Sequence, residues 1–247
     1  MVPRLHLFEF NDQPWLPEVL RRAETDYLRT IIELTKPFAP LAPKLAELAE
    51  RHGDKVVDLA SGGAGPWRTL RTQIARPLEL TMTDLFPNER AYRAAGLSFE
   101  RQPVDAKAVP PHLSGIRTMF DALHHHRPAE ARAVLADAHR ARAPIVIGEA
   151  TNRRVLVILP TLLLLPLFIL FITPLIRPVS GWQLLLTYLI PIVPLLILWD
   201  GVVSCLRTYR PAELLELTKG LDGYRWEANE LKKGGSFVTY LVGEPVR

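Results

Sequence analysis

Three consecutive imidazoles, His124, His125 and His126, follow the largely apolar run Phe120 to Leu123, which Asp121 interrupts. An imidazole can take a proton from an oxygen or nitrogen nucleophile near neutral pH. His124 and His125 are therefore candidate catalytic bases, and His126 a candidate substrate contact. The same run could equally be a satisfied pair packing a loop against backbone. No metal is expected, because adjacent side chains rarely converge on one ion and no Cys or carboxylate stands nearby at ligand spacing.

A second group of residues is spaced for binding. In Val56-Val57-Asp58-Leu59-Ala60-Ser61-Gly62-Gly63-Ala64-Gly65-Pro66-Trp67 an acid closes an apolar run and small residues follow it. Small residues let the backbone approach a ligand closely, and a helix start behind them offers unpaired N–H groups. Asp84, with Leu85 after it, closes the next apolar run, and a carboxylate there suits the two hydroxyls of a ribose. A plain strand-to-helix turn would account for the glycines as well. Glu149 ends a later run and is expected on the substrate side, with a helix cap as its alternative. Phe10 and Trp15 could fold over the site as a lid, or pack on a sheet edge.

The elements that must position these groups alternate. Val56 to Ala60, Leu78 to Thr83, Phe99 to Val104, Thr118 to Leu123 and Ile145 to Gly148 read as strands. Trp67 to Ala75, Asn88 to Ala95 and Ala129 to Arg142 read as helices between them. This rhythm predicts an α/β fold with a doubly wound parallel sheet. Tyr224 to Leu231 and Ser236 to Val242, around Lys232-Lys233-Gly234-Gly235, predict a terminal β-hairpin. Leu16 to Leu34 and Leu41 to Arg51 read as N-terminal helices, and Pro211 to Lys219 as a late one.

Asp58 in its Gly-rich loop, Asp84, and Val104-Asp105-Ala106 after the third strand resemble, in this order, the consecutive cofactor motifs of class I S-adenosylmethionine-dependent methyltransferases. The resemblance runs from about Val56 to Glu149 and resumes in the hairpin. It implies a Rossmann-like sheet, an S-adenosyl-L-methionine cofactor and methyl transfer. It also implies Asp58 as a cofactor-binding residue, Ala60, Ser61, Gly62 and Gly63 beside the methionine moiety, Asp84 with Leu85 at the ribose, and Asp105 with Ala106 at the adenine. The family's common Gly-x-Gly-x-Gly core is here Ala60-Ser61-Gly62-Gly63-Ala64. A nicotinamide dinucleotide is the rival cofactor, but its glycine spacing fits poorly and it gives the Asp105-Ala106 motif and the hairpin no necessary place.

Between the strands and the hairpin lies a segment of different character. Val155 to Ile176 and Gln183 to Trp199 carry no charge, and the first is about a bilayer in length. Both flanks belong to one domain, so a helical hairpin inserted in the membrane is expected, either spanning it or, because Pro160, Pro166, Pro174, Pro191 and Pro194 would kink the arms, re-entering after a partial crossing, with a buried core hairpin or a dimer interface as the alternative. Arg153, Arg154, Arg207 and Arg210 at its base against Arg177 in its turn put the catalytic domain on the cytoplasmic side. The expected domains are an N-terminal helical lid (1–53), a cofactor domain (54–153 and 200–247) and the hairpin (154–199). Net charge is +4 with acids and bases interleaved, and no basic cluster is interleaved with aromatics, so no nucleic acid partner is expected. The lone Cys205 forms no intrachain disulfide. The expected partners are a lipophilic small-molecule substrate and membrane lipid. A noncatalytic membrane-anchored nucleotide-binding protein is the alternative from another class, and the oligomeric state stays open.

Overall fold

The computed structural model describes residues 2–177, 180–233 and 236–246. Its contacts gather the chain into two compact units, one of Met1–Thr35 with Thr151–Thr208 and one of Lys36–Ala150 with Tyr209–Arg247.

The second unit is built on a seven-stranded sheet. Strands β1 (Lys55–Asp58), β2 (Glu79–Met82), β3 (Ser98–Phe99), β4 (Ile116–Phe120) and β5 (Ile145–Glu149) are parallel. Strands β6 (Tyr224–Lys233) and β7 (Ser236–Pro245) form an antiparallel hairpin. The order is β3-β2-β1-β4-β5-β7-β6, with β7 antiparallel to β5 and Ile147 opposite Leu241. The hairpin's expected Gly234-Gly235 turn lies outside the described residues. Helices α2 (Ala42–His52), α3 (Trp67–Leu70), α4 (Glu89–Ala95), α5 (Pro128–Arg140) and α9 (Pro211–Leu217) complete the unit.

Every residue of β4 and β5 is buried, which is why these strands read as apolar runs and not as alternating ones. Val57, Leu59, Met119, Leu135, Ile147 and Leu241 lie in one core cluster. Gly148 is required by close packing, since a Cβ there would lie 2.9 Å from the side chains of both Leu41 and Phe120.

Three elements depart from the sequence reading. The helix after the Gly-rich loop ends at Leu70 instead of Ala75. There the Thr69 and Thr72 hydroxyls donate to the carbonyls of Pro66 and Thr69, at 3.2 and 2.8 Å, and such bonds compete with a helical ladder. The third strand keeps only two residues; beyond it Pro103 has no N–H to give the ladder, and the chain returns to β2 when Val104 N donates to Asp84 O at 2.9 Å. The fourth strand stops at Phe120 because Asp121 turns to φ 46°, after which Leu123–His125 form a 3-10 turn.

The other unit is helical: α1 (Glu18–Thr35), α6 (Val155–Ile172), α7 (Gly181–Leu184) running on into a π-helical turn Leu185–Leu189, and α8 (Ile192–Arg207). Thus α1 shares a unit with the apolar segment, while α2 belongs to the sheet unit. Pro178 and Val179, in the expected hairpin turn, lie outside the described residues. Helix α8 returns beside α6, with a Cβ on Gly201 reaching 3.1 Å from the Leu165 side chain. Ala23 and Tyr27 of α1 close an apolar core with Ile169, Ile172 and Ile197.

By length and composition Val155–Leu175 could cross a membrane; the second arm could do so only as a broken pair, bent by 79° between Leu189 and Ile192. The bend falls at Pro191, which has no N–H to continue a helix. The base of α8 is polar and buried. Arg207 Nη1 pairs with Glu9 at 2.8 Å and Asp12 at 2.6 Å, and Asp200 accepts the N–H groups of Phe10 at 2.8 Å and Asn11 at 2.9 Å. Burial, then the neighbouring Asp200, raises the pKa of Glu24 to about 10, so this acid stays neutral inside the unit.

Candidate functional site

The chain order of the sheet reverses between β1 and β4, and in open α/β sheets ligands bind beyond the carboxyl ends of the strands at that point. The residues with binding or catalytic chemistry gather along this edge: Asp84 after β2, the Asp58 loop after β1, Asp121 to His126 after β4, and Glu149 at the end of β5.

Asp58 is buried, and hydroxyls hold its carboxylate. Thr118 Oγ1 donates to Oδ1 at 2.6 Å and Ser61 Oγ to Oδ2 at 2.7 Å. Burial drives its pKa up to about 6, against the lowering effect of these bonds. Asp58 thus spends its oxygens on fixing the start of the loop. The backbone then turns left-handed at Ala60 (φ 52°), Gly62 (φ 48°), Ala64 (φ 84°) and Gly65 (φ 49°). Two alanines therefore stand where glycine is the unstrained choice. At Gly62 a Cβ would meet nothing within 4 Å, so the loop presents bare backbone to open space.

Asp84 closes this loop from the next strand. Its Oδ2 accepts Gly62 N at 2.8 Å and its Oδ1 accepts Phe86 N at 2.9 Å. Burial raises its pKa, and the backbone bonds from Phe86 and Gly62 oppose the rise. An ionised carboxylate offers about four lone-pair sites, so one bond per oxygen leaves capacity for two ligand hydroxyls. Leu85 and Phe86 beyond it are exposed apolar side chains. The bond from Val104 N to Asp84 O brings Asp105 and Ala106 to the end of β2. Asp105 accepts Lys107 N at 2.9 Å and so caps its own turn, while Ala106 is buried.

The two histidine candidates part ways here. His124 is buried, with Nδ1 at 2.5 Å from Glu149 Oε2 and its backbone N–H donating to Glu149 Oε1 at 3.1 Å. Its ring lies 4.3 Å from that of His125, centroid to centroid. The carbonyl of His126 accepts the Tyr209 hydroxyl at 2.8 Å, and burial, then His125, lowers the His126 pKa. Glu149, expected on the substrate side, is fully buried and directs both oxygens at His124. Asp121, absent from the sequence-based candidates, lies beside this pair. Its Oδ1 accepts Ala150 N at 2.6 Å, and burial followed by repulsion from Glu149 raises its pKa to about 7. A polar residue inside an otherwise apolar run was the signal for it.

Phe10 and Trp15 belong to the helical unit. Phe10 packs edge-on to Phe8 and Trp15 and sits 6.3 Å from the Trp199 ring.

No protein-family model and no curated protein sequence matches the chain. Solved structures do. It is similar to the plantazolicin methyltransferase BpumL in complex with SAH, at 12% identity and a TM-score of 0.59 over 96% of this chain and 93% of that one. The fold is that of S-adenosylmethionine-dependent methyltransferases. A SAM-dependent methyltransferase from Aquifex aeolicus is similar at 13% identity and a TM-score of 0.52, over 89% of this chain and 97% of that one. The O-methyltransferase NcsB1 from neocarzinostatin biosynthesis, in complex with S-adenosylmethionine and 2-hydroxy-5-methyl naphthoic acid, is similar at 17% and 0.53 over 92% of this chain and 58% of that one. The antiparallel β7 between β5 and β6 separates this methyltransferase fold from a dinucleotide-binding sheet, whose sixth strand follows in parallel order.

Proposed function

We propose that the chain is an S-adenosyl-L-methionine-dependent methyltransferase that methylates an oxygen or nitrogen of a lipophilic small molecule, with His124 as general base and Glu149 as its positioning residue. The observation that carries the reading is the buried His124–Glu149 pair at the end of β4 and β5, in the same row of strand ends as the Gly62–Asp84 loop closure.

The residues fit the cofactor. The bare backbone at Gly62 suits a close-lying methionine portion, the remaining lone pairs of Asp84 suit a ribose diol, and Leu85 with Asp105 and Ala106 borders the place for adenine. Bound there, the cofactor supplies a methyl group on a positively charged sulfur, which makes that carbon electrophilic. The chain's own part is to remove the acceptor's proton. Glu149 engages Nδ1 of His124, so the proton of a neutral ring resides there and the Nε2 lone pair is the one that takes the acceptor's proton. The imidazolium so formed is stabilised by the Glu149 carboxylate, and a positioned base of this kind is worth about 10²–10⁴ in rate.

The exposed apolar length of α6 supports the rest of the reading: a protein held at a membrane, with its sheet unit on the cytoplasmic side and an acceptor drawn from the lipid phase. The test pairs calorimetry of S-adenosylmethionine binding with methyl transfer to a panel of apolar phenols, carboxylic acids and amines, and to membrane extract. Binding with transfer that His124→Ala abolishes is the expected result. Binding without transfer to any acceptor would favour a noncatalytic nucleotide-binding protein.

A further inference from the structure

Within the helical unit, α6 presents a stripe made only of hydrocarbon. Leu156, Leu163, Leu167 and Phe171, spaced by seven, four and four residues, are 85%, 60%, 64% and 81% exposed. At 1.5 Å per residue the stripe runs about 22 Å along one side of the helix. Even Thr161 of α6 has its hydroxyl donor taken within the helix, by the Val157 carbonyl at 2.9 Å. Protein interfaces interleave hydrogen-bonding groups with apolar ones, and a face without any fits acyl chains instead. Trp182, 63% exposed, and Trp199, 40% exposed, are residues of the kind that settle at headgroup level.

The far end of the same hairpin is unlike a bilayer-crossing tip. The Tyr27 hydroxyl of α1 bonds Thr173 Oγ1 at 2.6 Å and Thr187 Oγ1 at 3.0 Å, and Arg29 Nη2 donates to the Arg177 carbonyl at 3.2 Å while pairing with Asp26 at 3.2 Å. A helix carrying Glu18, Arg21, Arg22, Asp26, Arg29 and Glu33 is therefore bolted along the hairpin to its tip. To cross the bilayer the hairpin would have to take these charges with it. Along α6 itself, Pro160 and Pro166 withdraw the N–H groups that would meet the Leu156 and Leu162 carbonyls, a loss tolerated where headgroup water reaches the backbone.

From these observations we infer that the helical unit is a monotopic membrane-binding surface, in which α6 lies along one phospholipid leaflet with its Leu156–Phe171 stripe among the acyl chains and the Arg177 tip stays on the side of the sheet unit. This gives a definite geometry to the membrane-inserted hairpin expected from the sequence and rests on the membrane part of the reading above, not on the methyltransferase part.

The experiment uses the full chain with Cys205→Ser, reconstituted with sealed vesicles of three parts phosphatidylcholine to one part phosphatidylglycerol. Leu163→Cys and Arg177→Cys are probed separately with a membrane-impermeant maleimide. The inference expects vesicles to shield the residue introduced at 163 by at least about tenfold in labelling rate, while that at 177 labels from outside as fast as in detergent. Labelling at 177 only after the vesicles are opened would overturn it in favour of a crossing hairpin. Equal labelling at 163 with and without vesicles would overturn it together with the membrane reading. In the second arm Leu163→Asp and Leu167→Asp, both at exposed positions, should each weaken vesicle cosedimentation about tenfold or more while S-adenosylmethionine affinity is unchanged. Conversion of a dimer to a monomer by either substitution, with no vesicle binding by the parent, would assign the stripe to a second copy and overturn the inference.

Discussion

Replacing Glu149 with glutamine tests the proposed chemistry with little change of shape. The carboxylate now faces His124 twice, through the backbone N–H at 3.1 Å and through Nδ1 at 2.5 Å. The amide's oxygen can keep the first contact, which turns its NH₂ toward Nδ1. An NH₂ group donates, so Nδ1 becomes the acceptor and the ring proton moves to Nε2, the nitrogen that must be free of a proton to serve as base. The loss has two parts. A charge-assisted hydrogen bond to the developing imidazolium is worth about 1.5–3 kcal/mol, or roughly 10- to 150-fold in rate. The wrong tautomer removes the base itself, for a total of about 10²–10⁴. In Glu149→Gln, therefore, kcat should fall at least about a hundredfold while S-adenosylmethionine affinity and thermal midpoint stay near those of the parent. The assay is initial-rate kinetics at saturating cofactor, with calorimetry and thermal unfolding as controls. A variant that binds cofactor normally and turns over within about threefold of the parent would refute the reasoning and place the base elsewhere.

Asp84→Ala should weaken cofactor binding about 10- to 150-fold, the equivalent of about 1.5–3 kcal/mol, and unchanged calorimetric affinity would remove Asp84 from the site. Ala60→Gly should raise stability by about 0.5–1 kcal/mol, because an L-residue pays about 1–2 kcal/mol in the left-handed region and glycine returns part of that as chain entropy; denaturant unfolding measures it. Asp121, with its folded pKa raised from the ordinary value of 3.8 to about 7, contributes stability that is full below about pH 4 and is lost as pH rises toward 7. Asp121→Asn keeps an oxygen for Ala150 N, so its unfolding free energy should fall less steeply over that pH window than the parent's; parallel curves would contradict the assignment.

Much of the sheet was legible because parallel strands buried on both faces spell continuous apolar runs, as Val56 to Ala60 and Ile145 to Gly148 do. The same property gave the row of strand-end residues Asp58, Asp84 and Glu149. What the sequence concealed were relations across strands. Nothing local to Glu149 announces that its carboxylate meets His124, because Phe120 and Gly148 become partners only when β4 and β5 pair. Asp58 ends its strand as Asp84 does, and nothing near it announces that Thr118, sixty positions along the chain, takes one of its oxygens. The apolar segment was plain from composition alone, but charge counting at its ends could not show that α1 is fastened along it. Tyr27 and Arg29 looked like members of an ordinary amphipathic helix, and their bonds to Thr173, Thr187 and Arg177 are tertiary.

The place of β7 in the sheet carries a consequence for how the chain is made. Strand β5 needs β7 on its outer side, with Ile145 opposite Gly243 and Glu149 opposite Thr239, and the whole apolar segment is translated between the two. While the ribosome works through Val155 to Trp199, the sheet carries an unpaired central edge at the very strand that ends in Glu149. Open edges of apolar strands recruit other chains. Early delivery of α6 to a lipid surface would separate the two exposed apolar elements until β7 arrives, so slow or membrane-free synthesis should yield more aggregate than synthesis beside vesicles.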